Sequence, residues 1–247
     1  SQASILANQC FNKGNTKITL GTGASILTNI GKQYTSKKNI ITTLSYVYKN
    51  KPSYSYECLI NYAGATVNWL NSNLEIIKKP EETNVIFAKT ENSNGVIFIP
   101  AFVGLSSPHW LPTCKGMIYG LTPSVNKNHI IRSALESIAF QIKDYVDDLE
   151  KNQKIFCNDI YIDGGIVSNT PFMQFLANTL KRKIYVTNFK DMSSYGSLVM
   201  GILGMKIKKN LKDISIYKQK YSSYLPNKNK FPDSYKEWKE VLKNFYL

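Results

Sequence analysis

The chain has 247 residues, and 31 Lys and Arg against 17 Asp and Glu give it a formal charge of +14. With 43% hydrophobic and 12% aromatic residues but only 14 Gly and 9 Pro, it can build a sizeable core, which excludes a disordered, low-complexity or collagen-like chain. Its longest strongly apolar run, from Leu198 to Met205, falls far short of the roughly 20 residues that cross a bilayer, so no membrane span is expected.

In chain order, Lys17 to Leu20 and Ser25 to Asn29 read as short strands joined by Gly21-Thr-Gly-Ala24, a hairpin whose tip tolerates unusual dihedrals. Strands follow at Ile40 to Tyr48 and near Tyr54 to Tyr56. Ala65, Val67, Trp69 and Leu70 then predict a helix that ends by Asn73. Lys78 to Asn94 is polar, with a helix and a turn; Val96 to Ile99 is a buried strand stopped by Pro100. Gly104 to Thr113, with Pro108 and Pro112, is a loop, and Met117 to Tyr119 returns to strand. The strongest helix runs from about Asn128 to Glu150, where Ile131, Leu135, Ile138, Ile142, Tyr145 and Leu149 recur at three- and four-residue spacings. Strand Ile160 to Ile162 leads into Asp163-Gly-Gly165, and a helix begins at Pro171 with Thr170 as its N-cap. A strand at Ile184 to Val186 and helices from about Ser194 and Ser234 complete an α/β pattern, a mixed sheet flanked by helices.

The charge does not mark a nucleic-acid partner. Only Arg132 and Arg182 are arginines, and the lysines are scattered among Asn, Ile and Tyr, densest at Lys206 to Lys209, which reads as a solvated face. No stacking platform or arginine cluster accompanies them. Cys10, Cys58, Cys114 and Cys157 lie far apart without a CxxC pair, which argues for free thiols in a reducing, cytoplasmic setting and against a zinc site; no metal ligands are assigned. The start of the chain shows no secretory signal.

Two glycine loops offer chemistry. Gly21-Thr22-Gly23 lets backbone N–H groups and the Thr22 hydroxyl approach an anion, or is an ordinary turn. Asp163-Gly-Gly165 before Ser168-Asn-Thr-Pro171 presents a helix N-terminus to a nucleotide, or is a tight strand-to-helix turn; it is neither the GxGxxG fingerprint nor a P-loop. His109 and His129 have no nucleophile partner and read as structural. Asp147 and Asp148 read as facing water, and Glu136 as a buried hydrogen-bonding carboxylate.

Five segments carry a more specific resemblance: Lys17-Ile-Thr-Leu-Gly-Thr-Gly23, Tyr62-Ala-Gly-Ala-Thr-Val-Asn-Trp69, Ile99-Pro-Ala-Phe-Val-Gly-Leu105, the stretch from Asn128 to Gln141, and Asp163-Gly-Gly-Ile-Val-Ser-Asn169. In this order they resemble the FGGY carbohydrate kinases, and among them the glycerol kinases, over essentially the whole chain. Tyr235-Lys-Glu-Trp238 is similar to the closing helix of that family.

The resemblance implies a ribonuclease H-like, actin-type ATPase fold, with residues 1–247 forming the C-terminal, nucleotide-binding lobe and the N-terminal lobe lying outside this chain. It implies ATP and Mg²⁺ as cofactors, ATP or ADP and a glycerol-like polyol as ligands, and phosphoryl transfer as the reaction of the whole enzyme. It also admits a homo-oligomer. Position by position, Thr22 matches the residue at the terminal phosphates, Gly64 and Asn68 match nucleotide contacts, and Gly165 and Asn169 match the adenosine-side loop. Ser1 and Ser25 fall at acceptor positions, and the catalytic Asp is expected just upstream of Ser1, so the isolated lobe is expected to be inactive. Ser25 stands where an aromatic residue packs on the polyol carbons, and Leu111 and Lys115 replace an Asp and an Arg. Another sugar or polyol acceptor, or a non-catalytic actin-like nucleotide-binding module, are the alternatives.

Overall fold

Alternation of apolar and polar residues along the first two strands sets the frame. Thr16–Leu20 (β1) and Ala24–Gly31 (β2) pair antiparallel with Leu20 opposite Ala24, so Gly21, Thr22 and Gly23 alone form the connection. Ile18, Leu20 and Ile26 point to one side of this hairpin, and Lys17, Thr19, Ser25 and Leu27 to the other. The computed structural model describes residues 1–189, 191–217, 219–228 and 230–247.

The hairpin lies at the centre of a seven-stranded sheet. Ile41–Tyr48 (β3) and Lys51–Ile60 (β4) extend it antiparallel beyond β2. On the other side, Ile160–Gly164 (β7) runs parallel to β1, Ile184–Val186 (β8) parallel to β7, and Ser222–Tyr224 (β9) antiparallel to β8, giving the order β3-β4-β2-β1-β7-β8-β9. Ile97–Ile99 (β5) and Met117–Tyr119 (β6) form a separate two-stranded ribbon. The expected mixed sheet is therefore observed.

Helices cover both faces. Lys127–Lys151 (α4) presents Ile131, Leu135, Ile138, Ile142 and Tyr145 to the main core, together with Ile18, Leu20, Ile26, Cys58, Ile160 and Ile162. Gly64–Ser72 (α2), Glu82–Lys89 (α3), Thr170–Leu180 (α5) and Ser234–Tyr246 (α7) contribute to the same core. The second face carries Gln2–Ala7 (α1), whose Ile5 and Leu6 cluster with Leu27 and Tyr161, and Met192–Gly204 (α6). These two helices meet at backbone distance. A Cβ on Gly196 of α6 would stand 1.8 Å from the Ala3 carbonyl oxygen, so glycine is needed there. Among the described residues no helix is long and apolar enough to cross a membrane.

The local expectations hold with three corrections. Asn169, not Thr170, caps α5: its Oδ1 accepts the Phe172 amide at 3.1 Å, and Thr170 is the first helical residue. The tip glycines Gly21 and Gly23 do not adopt positive φ; the demand at the tip is steric, because a Cβ on Gly23 would lie 2.5 Å from the Ile60 carbonyl oxygen. Asp147 and Asp148 are half-buried and bonded, Asp147 to Lys143, Lys151 and Tyr235. The two histidines are structural. His129 Nδ1 accepts the Asn126 amide at the start of α4, and His109 Nε2 bonds the buried Asp144 at 2.7 Å. Among the described residues the cysteines form no disulfide.

Candidate functional site

The hairpin tip and the start of α2 are built as one unit. The Thr22 carbonyl accepts the amides of Ala63 (3.0 Å) and Ala65 (2.9 Å), and the Gly21 carbonyl accepts that of Gly64 (2.9 Å). The first N–H groups of α2, which have no partner within their own helix, are thus satisfied by the turn, and the turn is held rigid in exchange. A Cβ on Gly64 would come within 2.7 Å of the Gly21 oxygen, which explains the glycine at that position.

The end of β7 makes the opposite wall. Gly164 has φ +113°, and a Cβ there would collide with Leu20 at 2.3 Å, so its glycine is a backbone requirement. Gly165 differs: a Cβ there meets nothing within 4 Å, because the residue borders open space. It begins a 3-10 turn, Gly165–Ser168, that leads to Asn169 and α5.

Between these walls lies a cavity of about 390 Å³. Thr22, Gly64, Asn68, Gly165 and Asn169 all line it, so the structure brings together every position at which a nucleotide contact is expected. Val67, Pro80, Leu135 and Ile166 make part of its wall apolar. Asn169 is 2% exposed, and both ends of its amide are engaged, Oδ1 in the α5 cap and Nδ2 on Thr83 Oγ1 at 3.4 Å. Its place is behind the turn, which it holds.

Sequence reasoning missed the contribution of α3 and the residues before it: Pro80, Glu81, Thr83 and Asn84 line the cavity as well. No local pattern marks them. They arrive by long-range packing, with Asn84 Nδ2 donating to the Ser168 carbonyl at 3.4 Å. Arg132 of α4 secures this wall, donating to the Phe87 carbonyl at 3.0 Å and to the Thr90 carbonyl, with its guanidinium 4.3 Å from the Phe87 ring centroid. Its other partner is Glu136 at 2.8 Å, which also accepts from Ser234 and whose burial raises its carboxyl pKa.

Ser1 and Ser25 lie outside the lining of this cavity. Ser25 belongs to the opposite face of the hairpin, and its Oγ is 2.8 Å from Ser1 Oγ. Beneath the pair, Lys17 is fully buried. Its Nζ donates to Ser25 Oγ (2.9 Å), the Ser25 carbonyl (3.2 Å) and Thr19 Oγ1 (3.3 Å). Asp163, on β7 opposite Thr19, is 3% exposed and accepts from Asn8 Nδ2 at 3.3 Å and from the Thr19 hydroxyl; burial raises its carboxyl pKa. Among the described residues, no group of three or more His, Cys, Asp or Glu side chains is arranged to hold a metal ion.

Comparison with known proteins fits this geometry. The C-terminal domain of the FGGY family of carbohydrate kinases matches residues 16–205. A glycerol kinase of Saccharolobus islandicus (strain L.S.2.15) is 34% identical over 245 residues, 98% of this chain and 49% of that protein. One from Vibrio vulnificus (strain YJ016) is 32% identical over 245 residues, 98% of this chain and 48% of that protein. The crystal structure of Plasmodium falciparum glycerol kinase with ADP superimposes with a TM-score of 0.89 at 34% identity, covering 100% of this chain and 50% of that one. A ligand-bound xylulose kinase from Lactobacillus acidophilus shares the fold, with a TM-score of 0.86 at 19% identity over 98% of this chain and 49% of that one. The chain belongs to the FGGY family of carbohydrate kinases and has their actin-like ATPase fold. It spans about half the length of the curated relatives it matches.

Proposed function

We propose that this chain is the nucleotide-binding lobe of an ATP-dependent polyol kinase, one that transfers the γ-phosphoryl group of ATP to a primary hydroxyl, with glycerol, giving glycerol 3-phosphate, as the first acceptor to test. The observation that carries the reading is the convergence of Thr22, Gly64, Asn68, Gly165 and Asn169, far apart in sequence, on one cavity. The walls suit a nucleotide. Gly165 leaves room that a side chain would fill, Val67, Pro80, Leu135 and Ile166 offer apolar surface to a base, and Thr22 stands at a rigid tip with a hydroxyl to give a phosphate.

ATP bound in this cleft would supply the phosphoryl group, and Mg²⁺ bound with it would offset phosphate charge during transfer. The chain's own residues divide the remaining tasks. Gly165 admits the adenosine side, and Asn169 holds the turn that frames it. The Thr22 hydroxyl donates to the terminal phosphates and favours the charge that spreads over them during transfer. A carboxylate just before Ser1 would take the proton of the attacking hydroxyl.

An acceptor other than glycerol is favoured by one observation. Ser25 puts a hydroxyl, bonded to Ser1 and Lys17, where an aromatic face is expected against carbon. The test is an ADP-release assay on the full-length protein with glycerol, longer polyols and pentuloses offered in turn. Release that depends on one of these acceptors supports the reading. Full-length protein that releases no ADP with any of them contradicts it and favours a non-catalytic nucleotide-binding module.

A further inference from the structure

The end of the sheet far from the cavity carries a surface that phosphoryl transfer does not use. Helix α6 follows β8, which runs parallel to β7, and β7 ends at the cavity; α6 therefore starts at the cavity end and runs back toward the other. The β3–β4 turn lies at that other end, because β4 sets Ile60 opposite Ala24 at the hairpin tip and Tyr54 opposite Gly31. The two meet there, Lys49 Nζ donating to Asn210 Oδ1 at 3.0 Å.

The 13 residues of α6 include no charged side chain. Met192, Gly196, Val199 and Leu203 are its buried stripe, at spacings of four, three and four. Leu198 and Met205, two turns apart, share an outward face. The helix closes in a left-handed cap. Lys206 has φ +59°, its amide bonds the Leu203 carbonyl, and the Ile207 amide bonds the Ile202 carbonyl, both at 3.1 Å. In such a cap the residue at the place of Ile207 commonly packs back on the helix. Here Ile207 stays more than half exposed, as do Leu198 and Met205.

The charge around these apolar tips is of one sign. Lys206, Lys208, Lys209 and Lys212 surround the helix end, and Lys49 joins them through Asn210. Among the described residues none of the five has a carboxylate oxygen within 4.0 Å. Asp213 is turned instead to the amide and side chain of Asn210, at 2.9 and 3.3 Å. A second copy of the chain does not suit this surface, since a two-fold axis through it would set lysines against lysines. Apolar tips ringed by lysines suit a bilayer interface: the tips enter the acyl boundary, and the long side chains reach lipid phosphates and carboxylates.

We propose that the C-terminal end of α6 is a peripheral docking surface for an anionic lipid bilayer, with Leu198, Met205 and Ile207 entering the interface and the surrounding lysines holding acidic headgroups. The nucleotide cavity, at the opposite end of the sheet, faces away from that bilayer.

The test is co-sedimentation of the full-length protein with vesicles of phosphatidylcholine alone, and of phosphatidylcholine mixed with phosphatidylserine. Binding is expected to the mixed vesicles only, and it should weaken as salt rises. Lys206→Gln, Lys208→Gln and Lys209→Gln together should weaken it about a hundred-fold, roughly five-fold for each lysine. Met205→Ser with Ile207→Ser, which keeps every lysine, should weaken it about ten-fold or more. Both variants should keep the Tm and the calorimetric ATP affinity of the wild type, because neither alters the core or the cavity. No sedimentation with the mixed vesicles overturns the proposal, and so does full binding by the lysine variant. Full binding by the serine variant also overturns it, and marks the surface as one for any polyanion, such as an acidic protein or a nucleic acid. Vesicle binding and ATP binding are separate readouts, so this proposal and the kinase reading can each fail alone.

Discussion

At the scale of single residues, the neighbouring glycines of the β7 turn have opposite roles. Gly164 combines φ +113° with a contact that no Cβ can make, whereas Gly165 borders open space. Gly164→Ala should therefore destabilise the protein by about 2–4 kcal/mol, and Gly165→Ala should stay within about 0.5 kcal/mol of the wild type. Urea denaturation of the two variants checks the contrast. Thr22→Ala removes only a hydroxyl from a turn held by backbone bonds, so in the full-length enzyme kcat should fall about ten-fold or more while KM for ATP moves little.

Lys17 gives a signed prediction for stability against pH. Its folded pKa, about 8, lies below the ordinary 10.5, so the folded chain gives up this proton more readily than the unfolded one. The group therefore disfavours folding at neutral pH, and its contribution improves as pH rises from about 8 toward 10.5. The full shift corresponds to about 3 kcal/mol. The stability difference between Lys17→Met and wild type should accordingly be largest near pH 7 and shrink by pH 10. A constant difference across that range, measured by urea denaturation, contradicts the assignment of the shift to Lys17.

Among elements, the cavity depends on a brace between α3, α4 and the β7 turn. Arg132 binds the carbonyl end of α3 and the buried Glu136 together. Arg132→Met leaves that carboxylate buried and unpaired, and a loss of about 3–5 kcal/mol is expected at pH 7. Glu136 already has a raised pKa, and a raised folded pKa contributes stability at pH values below the unfolded one, lost as pH rises. The deficit of Arg132→Met should therefore be smaller near pH 4 than at pH 7. Asn169→Ala removes the α5 cap, worth about 1 kcal/mol, and should also weaken nucleotide binding by loosening the turn.

The elements also divide by how far their own residues reveal them. The helix α4 is visible in its apolar spacing, and β1, β2 and β7 in alternation and terminal glycines, because local periodicity is what positions them. By contrast, α1 has six residues and stands through its contact with α6 at Gly196, a dependence on a partner nearly two hundred positions away. The same holds for Thr83 and Asn84, which become cavity walls only once α3 packs against α4 and α5. Thr22 and Gly165 were legible as glycine-loop residues, and the family resemblance assigned both to one nucleotide site; what the residues alone did not show is the parallel pairing of β1 with β7 that sets them across a common opening.

For the whole molecule, the proposed function puts the nucleotide on one side of the hairpin, in the cavity that Thr22 and Gly165 line, and the acceptor on the other. The 247-residue chain alone should therefore fold without phosphorylating glycerol. Turnover by that chain, at a rate that follows its purity, would show the base to lie within it. Whether the cavity between Thr22 and Gly165 holds an adenine nucleotide, as proposed, is tested most directly by calorimetric titration of ATP with Mg²⁺ into full-length wild type and Gly165→Val. Measurable binding to the wild type and about ten-fold or weaker binding to the variant are expected, because the new side chain occupies the open space at position 165 while the turn keeps its stability. Equal affinities, or no binding by the folded wild type, would contradict the proposal.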